Sequence, residues 1–420
     1  MSPAFVLILF LVLLLVAELA DLILLSLNIS HVKRHSSSLP KELSEMLGQE
    51  QAEKNAQYTL ATLRYSRVSQ IFQLLLVLFV VISGFLGFFE RALFSIPWVS
   101  ALGAYSRSVI YILGLALLNS FVSIPFSLYK TFVLEEKFGF NTQSFGSWVK
   151  DFIKQLLVSF VLLVPLMYLL LFIMAELGNS WWVWASVLVI GFSLLMQIIY
   201  PTIIAPIFNK FSKLQGELKE SIVALCERLE FPLAEVYEVD GSTRSKHSNA
   251  YFAGLGKSKR IVLYDTLIQS LKPQQLLAVL AHEIGHEKRA HIKKMIALSS
   301  IQTVFIFWLL SCFMNEEAFY LAFGFHHMSY HAALVLFSLF IGPLLYWLAP
   351  LFNGLLRKHE YEADAYAAAA MGSSVPLKEA LLTLAQDNLS NLWPHPWYSF
   401  VHYSHPTLLE RMDALEKVDS

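Results

Sequence analysis

Charge is scarce in this chain, and cysteine is scarcer. Only 15% of its 420 residues are Asp, Glu, Lys or Arg, against roughly a quarter in a soluble domain, while 56% are hydrophobic. There is no basic excess, the formal net charge being -1, and this excludes the electrostatic footprint of a nucleic-acid binder. The two cysteines, Cys226 and Cys312, lie far apart in unlike contexts, so neither a disulfide framework nor a cysteine-based metal site is expected. Internal repeats are absent, as are low-complexity tracts longer than the serine run at 36–38.

Long apolar runs fill the space that charge leaves. A window of about 19 residues finds seven candidate spans, 4–29, 70–89, 109–128, 152–174, 181–208, 295–313 and 332–352. Each is long enough for a hydrocarbon core of roughly 30 Å. The first has no basic stretch before it and no small-residue cleavage site after it, so it is expected to be a retained helix. Pro125, Pro165, Pro201 and Pro206 read as kinks satisfied by neighbouring helices. Glu18 and Asp21 are intramembrane carboxylates, which face protein or a wet cavity rather than lipid.

Cations fall on alternate loops. Lys33, Arg34, Arg64 and Arg67 follow the first span, Lys130, Lys137 and Lys150 the third, Lys210, Lys213 and Lys293 the fifth, and Arg357 and Lys358 the seventh. The loops at 175–180 and 314–331 have neither Lys nor Arg. By the positive-inside rule the N-terminus is outside or luminal and the C-terminus cytosolic. The polar regions after spans five and seven then share one compartment.

Between spans five and six the composition becomes that of a soluble domain. Helical periodicity marks 214–229, and 235–239, 260–264 and 249–252 read as short strands. A helix with Pro273 in its first turn, and Ser270 or Lys272 near its cap, leads into His282-Glu283-Ile284-Gly285-His286. Histidines at i and i+4 share a helix face, so both imidazoles reach one metal ion while Glu283 reaches the water beside it. Zinc lowers the pKa of such a water towards about 7, and the carboxylate serves as general base. Two histidines on a helix are also commonly just solvated, so a third ligand decides the matter. His291 lacks the glycine spacing that turns the chain back, and Glu287 points off the metal-facing side. Glu360 and Asp364 share a helix face on the same side of the membrane, so Glu360 is the better ligand and Asp364 a hydrogen-bond partner for a ligand histidine.

The constellation resembles the type I CAAX prenyl proteases, integral-membrane zinc endopeptidases of the gluzincin kind. The likeness rests on Ser248-Asn249-Ala250-Tyr251-Phe252, Arg260 to Leu267, His282 to His286, Glu360 to Asp364, Ser404-His405-Pro406 and Glu410-Arg411, in that order. The resemblance implies one zinc per chain on His282, His286 and Glu360, with Glu283 as base and acid and Asp364 orienting a ligand. It implies that His405 lies by the cleft and stabilises the oxyanion, and that Asn249, Ala250, Tyr251 and Phe252 form an edge strand for extended substrate. Arg411 joins the substrate-binding group, paired with a helix or catalytic carboxylate. Seven helices enclosing a chamber capped by the protease domain also follow from the resemblance.

The expected fold is thus mainly α, a seven-helix membrane bundle with a small α+β zinc-peptidase domain. Helices one to five occupy 1–208, the catalytic segment 209–294, helices six and seven 295–353, and the segment completing the catalytic domain 354–420. The expected partners are the lipid bilayer and a peptide or protein substrate, prenylated in the CAAX reading, with no nucleic acid; the sequence sets no oligomeric state. The expected activity is removal of the C-terminal tripeptide from prenylated CAAX substrates. The alternatives are a membrane quality-control metallopeptidase indifferent to prenylation and a metal transporter, the latter disfavoured because the ligand-type residues flank the spans rather than fill them. The last residues, 416–420, carry no Lys-Asp-Glu-Leu-type signal, leaving a bacterial inner membrane and the endoplasmic reticulum both open.

Overall fold

The computed structural model describes residues 1–37, 47–254 and 259–419; part of the serine run therefore lies outside the described residues. Among the described residues six helices are long and apolar enough to cross a membrane, or seven if a pair bent by 60° counts as one span. They are α1 (Pro3–His35), α2 (Gln49–Ile82), α3 (Ala104–Tyr129), α4 (Phe145–Glu176), α5 (Trp181–Ile199) and, past the polar region, a sixth, with the bent pair last.

At 33, 34 and 32 residues, α1, α2 and α4 are about 50 Å long by the usual rise. That exceeds the hydrocarbon core by several turns. The surplus of α2 accounts for a difference from the sequence reading, which took 70–89 as the span. The helix instead starts at Gln49 and ends at Ile82, and Gly84, in the left-handed region at φ 68°, starts a separate helix, Phe85–Phe94. The N-terminal turns of α2 are polar because they dock on the C-terminal segment. Asn55 is buried and donates to the carbonyls of Ala385 and Ser390, both at 2.9 Å.

Pro125 sits inside α3, and a π-helical turn, Lys130–Glu135, follows it. Pro201 lies in a second such turn, Tyr200–Ile204, and Pro206 in the short helix Ala205–Phe208 that ends the fifth span. The intramembrane carboxylates face protein groups. Gln70 donates to Glu18 at 3.0 Å and to Asp21 at 2.7 Å, and His402 stands 2.9 Å from Asp21. The outward faces of α1, α4 and α5 expose Ile8, Val12, Leu157, Val161 and Val187, as lipid contact requires.

The polar region builds a four-stranded mixed sheet: β1 (Phe211–Lys213), β2 (Leu233–Val239), β3 (Ala250–Ala253) and β4 (Lys259–Tyr264) in the order β1-β2-β4-β3. β2 and β4 run parallel and the other two pairs antiparallel, so β3 is an edge strand. The helix expected over 214–229 begins later, as α6 (Glu217–Arg228), because the Leu214 amide is drawn to the Val236 carbonyl. Next come α7 (Pro273–Lys288), α8 (His291–Phe313, the sixth span), α9 (Tyr330–Tyr346) and α10 (Ala349–Met371). α9 and α10 form the bent pair, so the seventh span breaks at Trp347–Leu348 and its continuation leaves the span direction. α11 (Val375–Asp387), α12 (Pro396–His402) and α13 (Leu408–Asp419) complete the chain. One core joins β2, β4, α6, α7, α10 and α11 through Ile222, Val236, Ile261, Leu263, Leu280, Ala367 and Ala380, all fully buried. The catalytic segment and the C-terminal tail therefore fold as one body.

Candidate metal centre

Two helices carry the site. Lys272 caps α7, Pro273 opens it where a missing N–H costs nothing, and Gln275 accepts from the Lys272 amide at 2.9 Å. α7 and α10 pack closely because Gly285 has no side chain. A Cβ there would lie 3.2 Å from the Ala363 Cα and 3.1 Å from the Tyr366 ring. This approach places His282 and His286, one turn apart, opposite Glu360.

The donor atoms converge. His282 Nε2 and His286 Nε2 stand 3.1 Å apart, and Glu360 lies 3.5 Å from the first and 3.2 Å from the second. These three side chains are the one His/Cys/Asp/Glu group among the described residues arranged to hold a metal ion. His282 and Glu360 are buried.

The outer partners settle which nitrogens carry protons. His282 Nδ1 is 2.8 Å from Asp364 Oδ1, and an ionised carboxylate only accepts, so that nitrogen is the N–H. In the neutral ring Nε2 is then left with a lone pair. His286 is set by a chain the sequence reading missed. His291 Nε2 faces Glu362 at 3.0 Å and donates to it, so His291 Nδ1 accepts from His286 Nδ1 at 3.0 Å. Its ring is held flat on His359 at 4.0 Å. The i+5 spacing from His286 to His291 was visible, but nothing in the sequence marked Glu362 as its partner. Glu287, as expected, turns away and pairs with Lys259.

Two imidazole lone pairs and a carboxylate aimed at one point repel each other unless a cation lies between them. Glu360 Oε2 is also buried with no hydrogen-bond partner. The donor set, two imidazoles and a carboxylate, suits catalytic zinc, which takes three protein ligands and leaves its fourth position to water or substrate. Burial opposes charge on His282, but the bonds to Asp364 and Glu360 outweigh it and push its pKa up to about 9.

Arg411 secures Asp364 with a fork, Nε to Oδ2 at 2.9 Å and Nη2 to Oδ1 at 2.5 Å. Burial disfavours its charge, but Asp364 more than compensates, and the charge also reaches Glu360 and Glu283. α13 presents Arg411 from a capped start. The Thr407 amide donates to Glu410 at 2.7 Å and the Glu410 amide to Thr407 Oγ1 at 3.3 Å. Just before that cap, His405 is 66% exposed; its Nδ1 is 3.0 Å from Ser404 Oγ and its Nε2 faces Glu360 Oε1 at 3.5 Å, from the rim of the site. Glu283 is half-buried and forms no hydrogen bond or ion pair among the described residues. Of the strand residues, Ala250, Tyr251 and Phe252 lie in β3, with Phe252 packed edge-on against Phe231 at 5.1 Å. Asn249 precedes the strand, and its carbonyl accepts from the Tyr264 amide at 3.1 Å.

Known proteins resemble this chain over most of its length. Residues 28–210 match the model for the CAAX prenyl protease N-terminal region with five membrane helices, and residues 212–419 match peptidase family M48. CAAX prenyl protease 1 of Saccharomyces cerevisiae is 37% identical over 92% of this chain and 90% of its own length. The Homo sapiens homologue is 32% identical over 92% and 90%. The crystal structure of S. mikatae Ste24p superposes with a TM-score of 0.90 at 34% identity, covering 97% of this chain and 98% of that one. The chain is therefore a membrane protease of peptidase family M48, in the group of the CAAX prenyl protease 1 proteins.

Proposed function

We propose that this chain is a zinc endopeptidase that removes the C-terminal tripeptide from prenylated CAAX-type proteins. The observation that carries this reading is the convergence of His282, His286 and Glu360, whose outer partners leave three lone pairs directed at one point. The family relationship and the names of the relatives support the substrate class.

Zinc held by these residues would polarise the scissile carbonyl and acidify water beside it. Glu283 accepts the proton of the attacking water and passes it to the leaving amine. His405, exposed at the rim, donates to the oxyanion. Asp364, braced by Arg411, keeps the His282 N–H on the outer nitrogen, and Arg411 adds positive charge beside the substrate. The open edge of β3, with Asn249 at its start, takes the substrate as an added antiparallel strand, which brings an extended peptide across the centre. Counting the bent pair as one, seven spans enclose a chamber. The protease domain that caps it is drawn from 209–294 and 354–420, and the spans from 1–208 and 295–353. The loop cations set that domain on the cytosolic side.

Purified protein given a farnesylated CAAX peptide and its unprenylated twin tests the reading. Release of the intact tripeptide, faster from the farnesylated form, is the expected result. Equal cleavage of both would replace it with membrane-protein quality control, and bound metal with no cleavage of either would leave the transporter.

A further inference from the structure

Away from the metal, a cluster of ionisable and aromatic side chains joins the membrane helices to the approach of β3. His247 stands just before Ser248 and Asn249, and its ring stacks on Phe140 at 4.0 Å. Its Nδ1 is 3.0 Å from Asn388 Oδ1, after α11, and its Nε2 is 3.3 Å from Glu135 Oε2, in the turn that follows α3. Tyr58 of α2 donates to Glu135 at 3.0 Å.

The protonation of His247 follows from these partners. Asn388 Oδ1 also accepts the Ser248 amide, at 3.3 Å, so it is the acceptor for Nδ1 as well. Nε2 faces a carboxylate, which only accepts. Both ring nitrogens therefore donate, and His247 is an imidazolium. Other bonds fasten the same loop to the segment between the third and fourth spans. The Lys246 amide donates to Phe140 at 3.0 Å, the Thr142 hydroxyl to Ser242 at 2.7 Å, and Arg244 Nε to Asp151 at 2.8 Å. Thr266 holds the His247 carbonyl at 3.2 Å. None of these groups touches His282, His286 or Glu360, so the metal centre does not require them.

We propose that the Glu135–His247 pair is a clasp that fixes β3 relative to the bilayer, making both positioning residues that set the register of a membrane-anchored substrate. This inference rests on the reading of β3 as the substrate strand. An anchored peptide is held at one end by lipid, and its scissile bond meets the metal only if the strand sits at a fixed distance from the membrane. Sliding by one residue moves it by about 3.3 Å, and a misplacement near 1 Å already costs about a hundredfold in rate. An unanchored peptide slides until it fits, so it is insensitive to the clasp.

Glu135→Gln and His247→Gln test this on the full-length protein. The expected outcome is a kcat/KM for the farnesylated peptide lowered about tenfold in each, carried mostly by kcat, with products cut one residue away, while the twin changes less than about twofold. One metal ion per chain is retained. The double variant is no worse than the worse single one, as for two residues acting through one contact. Equal loss on both peptides, or no change on either, would overturn the proposal. Should His247→Gln fail to fold, Glu135→Gln, which keeps a partner for Tyr58, carries the test. Should wild type show no preference for the farnesylated peptide, the substrate reading fails separately. The clasp is then judged by amide hydrogen exchange over residues 248–253, which must quicken at least tenfold in the variants; unchanged exchange would overturn it.

Discussion

The residues that matter most around the centre are those that decide where a proton sits. Asp364 has two tasks, accepting from His282 and balancing a guanidinium only 12% exposed. Asp364→Ala leaves Arg411 with Glu360 at 3.9 Å as its nearest remaining anion. Unfolding should become easier by about 3–5 kcal/mol, the usual result of stranding a buried charge, read as a lower melting temperature in detergent. His291→Ala cuts the chain from Glu362 to His286 but strands no charge. It should weaken metal binding by about ten- to a hundredfold in a chelator competition, with a much smaller shift in melting. Equal affinity for wild type and His291→Ala would mean that His286 is oriented by something else. His247 offers a pH signature. Burial opposes its charge and Lys130 repels it, yet the bonds to Glu135 and Asn388, with Tyr58 behind Glu135, hold its pKa above the ordinary value of 6.5. A raised folded pKa stabilises fully below that ordinary value and fades as pH rises through the raised one. The kcat/KM advantage of wild type over His247→Gln on the farnesylated peptide should therefore shrink on the alkaline side.

At the scale of the element, the close crossing of α7 and α10 makes the site. Gly285→Ala puts a methyl against the Ala363 backbone at 3.2 Å, and backbone cannot turn aside. The helices must part by a few tenths of an ångström, while alanine gains up to about 1 kcal/mol in helix propensity over glycine. Melting should change little, yet metal affinity and activity should both fall, since Glu360 is drawn back from the histidines. A variant with full affinity would show that the crossing tolerates a side chain. Elements were unevenly legible. The apolar spans and the strands β2 and β4 announced themselves because burial there is a property of the local run. The early start of α2 was hidden because Asn55 and its neighbours are polar for the sake of carbonyls more than 300 residues away. β1, three residues long, carries no pattern of its own. The bend after α9 was missed although Pro350, in the first turn of α10, marks a helix start there, because the apolar run continues across Trp347 and Leu348 without a polar break.

Across the whole molecule, a soluble centre is assembled from two separated parts of the chain by membrane helices that set their distance. His282 and Glu360 were legible as candidate ligands because each is spaced by i+4 from a chemically apt neighbour. The chain from Glu362 to His291 was not, because it crosses between helices. Orientation can be tested with the native thiols removed from view: Cys226 is buried, its thiol pushed up to about 11 by burial, and Cys312 is replaced by serine. In sealed vesicles an impermeant maleimide should label Glu316→Cys only from the outer or luminal side and Lys358→Cys only from the cytosolic side. The reverse pattern would invert the topology derived from the loop cations.

The central claim is that three side chains hold one metal ion and a fourth moves the proton. It is tested most directly by counting zinc per chain and initial cleavage rate together, in wild type, Glu360→Gln and Glu283→Gln. The account predicts one zinc and cleavage for wild type, lost or sharply weakened zinc for Glu360→Gln, and one zinc with no measurable cleavage for Glu283→Gln. Full zinc retention by Glu360→Gln, or undiminished cleavage by Glu283→Gln, would contradict it.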